Sequence, residues 1–189
     1  MVINLTRLGI QEIGLRNLCS DIKKSGKVIE RMLEIGSYAG DSAKIFKEEF
    51  PDSILFCVDP WENGYDPNDS SSYLHPMEKI EDIFNQKILN LKKIIKAKLT
   101  SDEFFSIIPN NYFDFIYIDG CHKYEYVKRD IINSIKKLRV GGILAGHDYI
   151  DQAHLKGVYK AVNELLGHPD KLYEDGSWIF WEIKQKFIY

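Results

Sequence analysis

Two histidines and two aspartates are spaced so that they could bind protons or a metal ion at one place in the fold. Asp119 directly follows the apolar segment Phe113–Ile118, and His122 lies three residues further on. His147 and Asp148 follow the next apolar segment of the chain. If both segments are neighbouring parallel strands, the four side chains meet at the carboxyl edge of the sheet, where open α/β sheets bind their ligands. The spacing therefore predicts a site for acid–base or metal chemistry.

A second set of residues favours a bound nucleotide. Gly36 and Gly40 follow the apolar segment that ends at Ile35, and glycines at a strand-to-helix turn let the backbone approach a ligand closely. The spacing is not that of a dinucleotide fingerprint, because Tyr38 stands where that motif needs glycine. Asp59 comes about 20 positions after Gly36, at the end of the next apolar segment, where an acid can accept hydrogen bonds from both ribose hydroxyls.

These residues come together only if strands and helices alternate along the chain. Continuous apolar segments predict buried parallel strands, and apolar residues at helical spacing between them predict helices on both faces of the sheet. The predicted strands are Arg31–Ile35, Ile54–Val58, 93–99, Phe113–Ile118 and 143–145, and the clearest helices are 41–50 and 127–138. Segments 171–174 and 178–183 flank the turn Asp175-Gly176, which predicts a terminal antiparallel hairpin. The pattern as a whole predicts a doubly wound, mostly parallel α/β sheet.

One connection is too long and too polar to be a simple turn. Residues 60–77 read PWENGYDPNDSSSYLHPM, with two internal prolines and several turn-forming residues. Long loops in compact domains are usually functional or disordered. We expect this segment to form an inserted lid over the site at the edge of the sheet.

Composition narrows the class of protein. The chain has 189 residues, enough for one domain spanning 1–189, and its formal net charge of -3 gives no reason to expect a nucleic-acid or membrane surface. Neither an apolar run of the length that spans a bilayer nor a secretory signal is evident. The three cysteines are scattered, which fits reduced thiols better than disulfides or a zinc site. We therefore expect a cytoplasmic protein.

The motifs E-I-G-S-Y-A-G, V-D-P and F-D-F-I-Y-I-D-G together resemble the series found in class I S-adenosylmethionine-dependent methyltransferases, over roughly residues 30–165. This resemblance implies a Rossmann-like sheet of seven strands. It also implies that Asp59 holds the ribose of the cofactor and that Ser101 and Asp102 lie near its adenine. The remaining cofactor contacts implied by the resemblance are Glu34, Gly36, Ser37, Tyr38, Gly40 and Asp119.

The patterns D-G-x-H-x-Y and G-G-I-L-A-G-H-D-Y resemble a narrower group. These are the small sugar and natural-product O-methyltransferases related to the macrocin and mycinamicin enzymes and, more distantly, the catechol-type, metal-dependent methyltransferases. The resemblance implies that His122 is the general base and that Asp119, His147 and Asp148 bind a divalent cation, Mg²⁺ or Mn²⁺. His147 departs from the pattern, because those relatives carry a carboxylate there. Since Mg²⁺ prefers oxygen ligands, either the metal is a softer one or His147 is a second acid–base group and no metal binds.

The sequence thus predicts an S-adenosylmethionine-dependent enzyme that methylates a hydroxyl of a sugar or small natural product. His122 would take the hydroxyl proton, and Asp119 would orient the acceptor directly or through a metal. Two alternatives stay open: an NAD-linked or other nucleotide-dependent enzyme, and a nucleotide-binding module that has lost its chemistry. The expected partner is a small molecule rather than nucleic acid or membrane, and a homo-oligomer is compatible with this interpretation.

Overall fold

Seven strands form one sheet in a computed structural model of the protein, which is described for residues 9–66, 70–152 and 155–183. The strands are β1 (Arg31–Ile35), β2 (Ile54–Val58), β3 (Ile94–Ala97), β4 (Phe113–Ile118), β5 (Leu138–Gly146), β6 (Lys171–Leu172) and β7 (Trp178–Phe180). The helices are α1 (Ile10–Lys24), α2 (Asp41–Glu49), α3 (Ser71–Leu74), α4 (Met77–Ile88), α5 (Ser101–Ile107), α6 (Tyr124–Lys137) and α7 (Lys156–Leu165). The predicted doubly wound α/β fold is confirmed.

The order of the strands brings the ends of β1, β4 and β5 side by side. The sheet runs β3-β2-β1-β4-β5-β7-β6, with parallel pairing from β3 to β5 and antiparallel pairing at β7 and β6. Backbone pairing continues past the strand ends: Gly36 N donates to Val58 O (2.8 Å), Asp119 N to Ile35 O (2.8 Å) and His147 N to Ile118 O (3.0 Å). The segments expected to carry the site are therefore fixed to one another through the main chain.

Alternate side chains of each central strand enter two separate apolar layers. Met32 packs into the layer formed with α1, α2 and α4, whereas its neighbour Leu33 packs into the layer formed with α5, α6 and α7. The first layer is centred on Phe46, whose ring meets those of Phe115 and Tyr117 edge-on at centroid distances of 5.6 and 5.2 Å. Burial on both faces explains why these strands are continuously apolar in sequence.

Several predicted boundaries differ from the observed ones, most clearly at Leu138 and in the terminal hairpin. Leu138 continues the apolar spacing of α6, but in the structure it is buried beside Phe113 as the first residue of β5. The register then shifts through the Gly141-Gly142 pair, where Gly141 has a φ of 75°, before Ile143 pairs with Phe115. The terminal hairpin is present but shorter than predicted, because only 171–172 and 178–180 pair as strands.

The described part of the chain contains no helix with the length and apolarity needed to cross a membrane. Cys19, Cys57 and Cys121 are buried, and none of the three forms a disulfide.

Candidate active site

A cleft of about 510 Å³ opens at the carboxyl ends of the parallel strands. One side, here called the glycine-loop half, is formed by residues 36–40 together with Asp59 and Ser101. The other side, here called the aspartate–histidine half, is formed by Asp119, His122, His147 and Asp148. The structure therefore places in one cleft the two groups of residues that the sequence singled out.

Glycine is required at both ends of the loop after β1. Gly36 has a φ of 86°, and a Cβ on it would lie 2.1 Å from the carbonyl oxygen of Asp119. Gly40 has a φ of 80° and forms the N-cap of α2, where a Cβ would lie 2.9 Å from the ring of Phe84. Any larger residue at position 36 would push the loop away from β4, so this glycine keeps the two halves of the cleft in contact.

Glu34 supports this loop from below. Its side chain is fully buried and accepts a hydrogen bond of 2.7 Å from the Ser37 hydroxyl. Ser37 and Tyr38 line the cleft, whereas Glu34 lies beneath the residues that do so. The predicted contacts in 36–40 therefore face the cleft directly, and Glu34 acts on them from the interior.

Asp59 is held by main-chain donors at the end of β2. One carboxylate oxygen accepts from Tyr38 N at 2.9 Å and the other from Trp61 N at 2.7 Å. The Trp61 indole in turn donates to Tyr38 O at 2.9 Å, which fixes this turn to the glycine loop. Burial raises the pKa of Asp59 to about 6, although the two backbone donors lower it. A ligand that brings further hydroxyl donors would stabilise the ionised carboxylate.

The two residues predicted near the adenine are separated by the structure. Ser101 lines the cleft, whereas the half-exposed Asp102 side chain forms an ion pair of 3.1 Å with Arg129 and is not among the lining residues. The helix start is capped instead by Thr100 and Glu103, which satisfy each other's backbone N–H groups. Asp130, which follows Lys128 and Arg129 in the chain, is buried and lines the cleft beside Ser101.

In the aspartate–histidine half, Asp148 connects two imidazole rings. Its Oδ2 lies 2.8 Å from His122 Nε2, and its Oδ1 lies 3.0 Å from His147 Nδ1. His147 Nδ1 is also 3.6 Å from Asp119 Oδ1. Asp119, His122 and Asp148 each offer one possible ligand atom within 4.8 Å of the others. The convergence of all four residues, expected from their positions after two strands, is thus present in the structure.

Comparison with known proteins gives the family. Residues 33–149, more than half of the chain, match the family model described as a methyltransferase domain. The chain belongs to this methyltransferase family. No curated protein matches its sequence at a significant level.

Solved structures agree with the fold of this methyltransferase. The O-methyltransferase from Bacillus cereus in complex with SAH has a TM-score of 0.65 and 16% identity, over 96% of this chain and 84% of that one. The O-methyltransferase NovP has a TM-score of 0.65 and 15% identity, over 92% and 79%. The O-methyltransferase TomG from Streptomyces achromogenes has a TM-score of 0.59 and 13% identity, over 92% and 78%. At these identities the similarity concerns the fold, and it confirms the predicted class I methyltransferase architecture.

The charge state of the methyltransferase's His122 follows from two carboxylates. Burial lowers the pKa of this imidazole, but the hydrogen bonds with Asp148 and Asp66 outweigh burial and raise the pKa to about 10. Burial also works against the ionised form of Asp148, yet the two histidines hold its pKa well below the usual range. The two carboxylates therefore favour the protonated form of the ring.

Two aspartates of this site escaped the sequence analysis. Asp66, in the long loop, is buried and contacts both the backbone N–H and the ring of His122. Asp175, in the turn of the terminal hairpin, accepts from Ser177 N at 3.0 Å and has Oδ2 3.8 Å from His147 Nε2. Both stand in segments rich in turn formers, where an aspartate has an ordinary local explanation, so no local signal distinguishes them.

The donor set of the methyltransferase fits a divalent cation. Asp119 and Asp148 offer carboxylate oxygens, and His122 and His147 offer ring nitrogens within the same cluster. A mixture of oxygen and imidazole ligands suits Mn²⁺, Fe²⁺ or Zn²⁺ better than Mg²⁺.

Proposed function

We propose that this protein is an S-adenosylmethionine-dependent O-methyltransferase that acts on a hydroxyl of a sugar or small natural product. The observation that carries the proposal is that Asp119, His122 and Asp148 lie in the same cleft as the glycine loop and Asp59. The family assignment argues against the NAD-linked alternative. The four polar groups of the aspartate–histidine half argue against a binding module without chemistry.

In this proposal the cofactor occupies the glycine-loop half. Residues 36–40, supported by Glu34, bind its methionine end, Asp59 binds the ribose hydroxyls, and Ser101 faces the adenine. Two structures with the same fold support the choice of cofactor, since the Bacillus cereus enzyme is described with SAH and TomG with SAM. The buried carboxylate of Asp59 is suited to accept the two ribose O–H groups in a site with little water.

The transfer step needs a base because an alcohol is a weak nucleophile at neutral pH. His122 Nε2 takes the proton of the acceptor hydroxyl while the oxygen forms a bond to the methyl carbon. The bond from that carbon to the sulfonium sulfur breaks, and its electron pair stays on sulfur as a neutral thioether. Asp148 and Asp66 stabilise the imidazolium that forms, much as an acid does beside a catalytic histidine in hydrolases.

Because His122 contacts Asp148, substrate binding must change the hydrogen-bond partner of the His122 ring. Nε2 lies 2.8 Å from Asp148 Oδ2, and the pKa of the ring is about 10. The acceptor hydroxyl therefore binds where it can replace Asp148 as the partner of Nε2. The ring must also be neutral before the proton is transferred.

Asp119, Asp148 and the His147 ring would hold a divalent cation, in keeping with their donor atoms, which leaves Nε2 of His122 for the acceptor hydroxyl. When bound, such a cation would supply Lewis-acid stabilisation of the developing alkoxide and would offset the charge of the carboxylates. Without it, Asp119 would serve as a hydrogen-bond acceptor for a second hydroxyl of the substrate.

In this proposal segment 60–77, of which residues 67–69 lie outside the described part of the chain, borders the acceptor side of the cleft and acts as a lid. Tyr65, Asp66, Ser72 and Met77 line the cleft, whereas Trp61 is buried against Phe84 at a ring-centroid distance of 5.0 Å. Tyr65 meets the edge of Tyr126 at 5.7 Å, also in the cleft lining. Of the loop's aromatic residues, Tyr65 is therefore the one placed to pack against a sugar ring.

The experiment is an acceptor screen with product analysis. Purified protein is incubated with S-adenosylmethionine and a panel of sugars, sugar nucleotides, catechols and other phenols, and formation of S-adenosylhomocysteine is measured. NMR of the product identifies the methylated atom. Formation of a methyl ether supports the proposal, whereas methylation on nitrogen, sulfur or carbon, or failure to bind S-adenosylhomocysteine, overturns it.

A further inference from the structure

The loop carboxylate of Asp66 reaches the ring of His122 from the side opposite the strand ends. Asp66 Oδ2 lies 3.2 Å from His122 Nδ1 and accepts a hydrogen bond of 2.6 Å from the His122 backbone N–H. Nε2 of the same ring faces Asp148 at 2.8 Å. The two ring nitrogens are thus divided between the loop and the sheet edge.

Asp66 is itself fixed within the loop. Its backbone carbonyl accepts a hydrogen bond from the Ser72 hydroxyl, and Gly64 N donates to Ser72 O at 2.8 Å. Further along, Asn63 Oδ1 accepts from Met77 N at 2.8 Å at the start of α4. The carboxylate is buried and belongs to a hydrogen-bonded turn rather than to a freely rotating surface side chain.

We propose that Asp66 is a positioning residue that sets the orientation and tautomer of His122. A carboxylate accepts but does not donate, so it favours the form in which Nδ1 carries the proton. Which ring nitrogen of a neutral histidine is protonated is set by the hydrogen bond of the other one. Once the acceptor hydroxyl has replaced Asp148 at Nε2, the contact of Asp66 with Nδ1 therefore leaves Nε2 to receive the acceptor proton. The inference rests on the proposed role of His122 as general base.

The competing explanation is that Asp66 only anchors the loop to the start of α6 through the His122 backbone N–H. The substitution Asp66→Asn separates the two roles, because the amide oxygen can still accept from the backbone while the charge is lost. Its NH₂ group can also donate to Nδ1, which would favour the wrong tautomer. Asp82→Asn, at an exposed position of α4, is the matched control.

We expect Asp66→Asn to lower kcat roughly 10-fold to 10³-fold while S-adenosylhomocysteine affinity and acceptor KM change less than about threefold. The double variant Asp66→Asn/His122→Gln should be no slower than His122→Gln alone, since the two residues act as a unit. A second readout uses ¹⁵N-histidine NMR across a pH titration, with the His122 signals assigned by His122→Gln. In the neutral ring of wild type Nδ1 should carry the proton and Nε2 should not, and Asp66→Asn should alter this distribution.

The outcomes separate this inference from the proposed function. If His122→Gln is inactive but Asp66→Asn keeps wild-type kcat, Asp66 is only an anchor and the function stands. If His122→Gln keeps wild-type turnover, the base assignment fails and the role of Asp66 fails with it. If Asp66→Asn does not fold, the NMR of wild type decides, because a neutral His122 ring with its proton on Nε2 overturns the proposal and one with its proton on Nδ1 supports it.

Discussion

The two halves of the cleft are made from different kinds of atoms. The glycine-loop half consists largely of the main chain of residues 36–40 and of an aspartate held by two backbone N–H groups. The aspartate–histidine half consists of side chains from the ends of β4 and β5, with a further carboxylate from the loop after β2. A main-chain site is specified by a short local motif, whereas a side-chain site exists only when distant segments have folded together.

The same contrast appears in the electrostatics. Asp59 is surrounded by neutral donors, and burial raises its pKa to about 6. Asp148 is buried as well, but two imidazole rings keep its pKa below the usual range. In the proposed function, a ligand that brings O–H donors stabilises the ionised carboxylate of Asp59, whereas a ligand at Asp148 has to displace partners that are already there. Four measurements test this division, beginning with the largest expected effect.

Replacement of His122 should abolish chemistry and leave the glycine-loop half intact. We expect His122→Gln to lower kcat by about 10²–10⁴-fold, because a general base is lost, and to bind S-adenosylhomocysteine as wild type does. Single-turnover kinetics and calorimetry measure the two quantities. His168→Gln, at a ring that contacts Pro169 O outside the cleft lining, is the control. If His122→Gln lost affinity for S-adenosylhomocysteine by the same factor as kcat, the two halves of the cleft would not act independently.

Removal of divalent cations should lower turnover, which depends on the aspartate–histidine half, and should leave cofactor binding in the glycine-loop half unchanged. We expect chelation to slow turnover roughly 100-fold, since a cation supplies several kcal/mol of charge stabilisation, and Mn²⁺ to restore it better than Mg²⁺. Calorimetry should detect Mn²⁺ binding that Asp148→Asn abolishes and that exposed Asp151→Asn retains. Full activity after exhaustive chelation, with no Mn²⁺ binding, would leave these residues as hydrogen-bonding partners of the acceptor.

Truncation of Asp59 should weaken cofactor binding, which depends on the glycine-loop half. We expect Asp59→Ala to weaken S-adenosylhomocysteine about 10-fold to 100-fold, because hydrogen bonds to a charged acceptor are worth ~1.5–3 kcal/mol. Asp102→Ala tests the prediction that Asp102 lies near the adenine. Because the Asp102 carboxylate pairs with Arg129, we expect this substitution to change the affinity for S-adenosylhomocysteine less than about threefold. Calorimetry that shows unchanged affinity for Asp59→Ala would remove Asp59 from the site. A large loss of affinity for Asp102→Ala would show that the Asp102 carboxylate belongs to the cofactor site.

The smallest expected effect is on the free energy of unfolding, and it comes from Asp130, the buried acid beside Ser101. Burial raises the pKa of Asp130 to about 7, whereas an aspartate in an unfolded chain titrates near 3.9. The folded state therefore keeps a proton that the unfolded state releases between about pH 4 and 7, so the contribution of Asp130 to stability falls as pH rises through this window.

We expect Asp130→Asn to raise the free energy of unfolding at pH 8 by about 1–3 kcal/mol and to leave it near wild type at pH 4. Denaturant unfolding at the two pH values measures the difference, with exposed Asp52→Asn as control. The same gain at both pH values would mean that the change has a cause other than ionisation.

Sequence reasoning was most successful where the signals are local. The strands, the hairpin and the glycine loop follow from runs of apolar residues and from glycines at a strand end, and the structure agrees. Leu138 was misassigned because its spacing suits α6, while pairing with Phe113, 25 positions away, draws it into β5. Asp66 acts on His122 across 56 positions, and no periodicity of the chain encodes that contact. Asp130 stands beside Arg129 in a charged run, and only its place on the inner face of α6 shows that it is buried.

The main chain of Gly36 lies directly against the carbonyl of Asp119, so the ends of β1 and β4 cannot shift apart. In the proposed reaction, the distance between methyl donor and acceptor is thereby set by the scaffold before any substrate arrives. The described residues of segment 60–77 contribute a wall and a carboxylate to the cleft but no part of that contact. Under the proposed function, acceptor choice can therefore diverge among descendants of this chain through exchange of one surface segment, provided that an acid remains at position 66, while the geometry of methyl transfer is inherited unchanged.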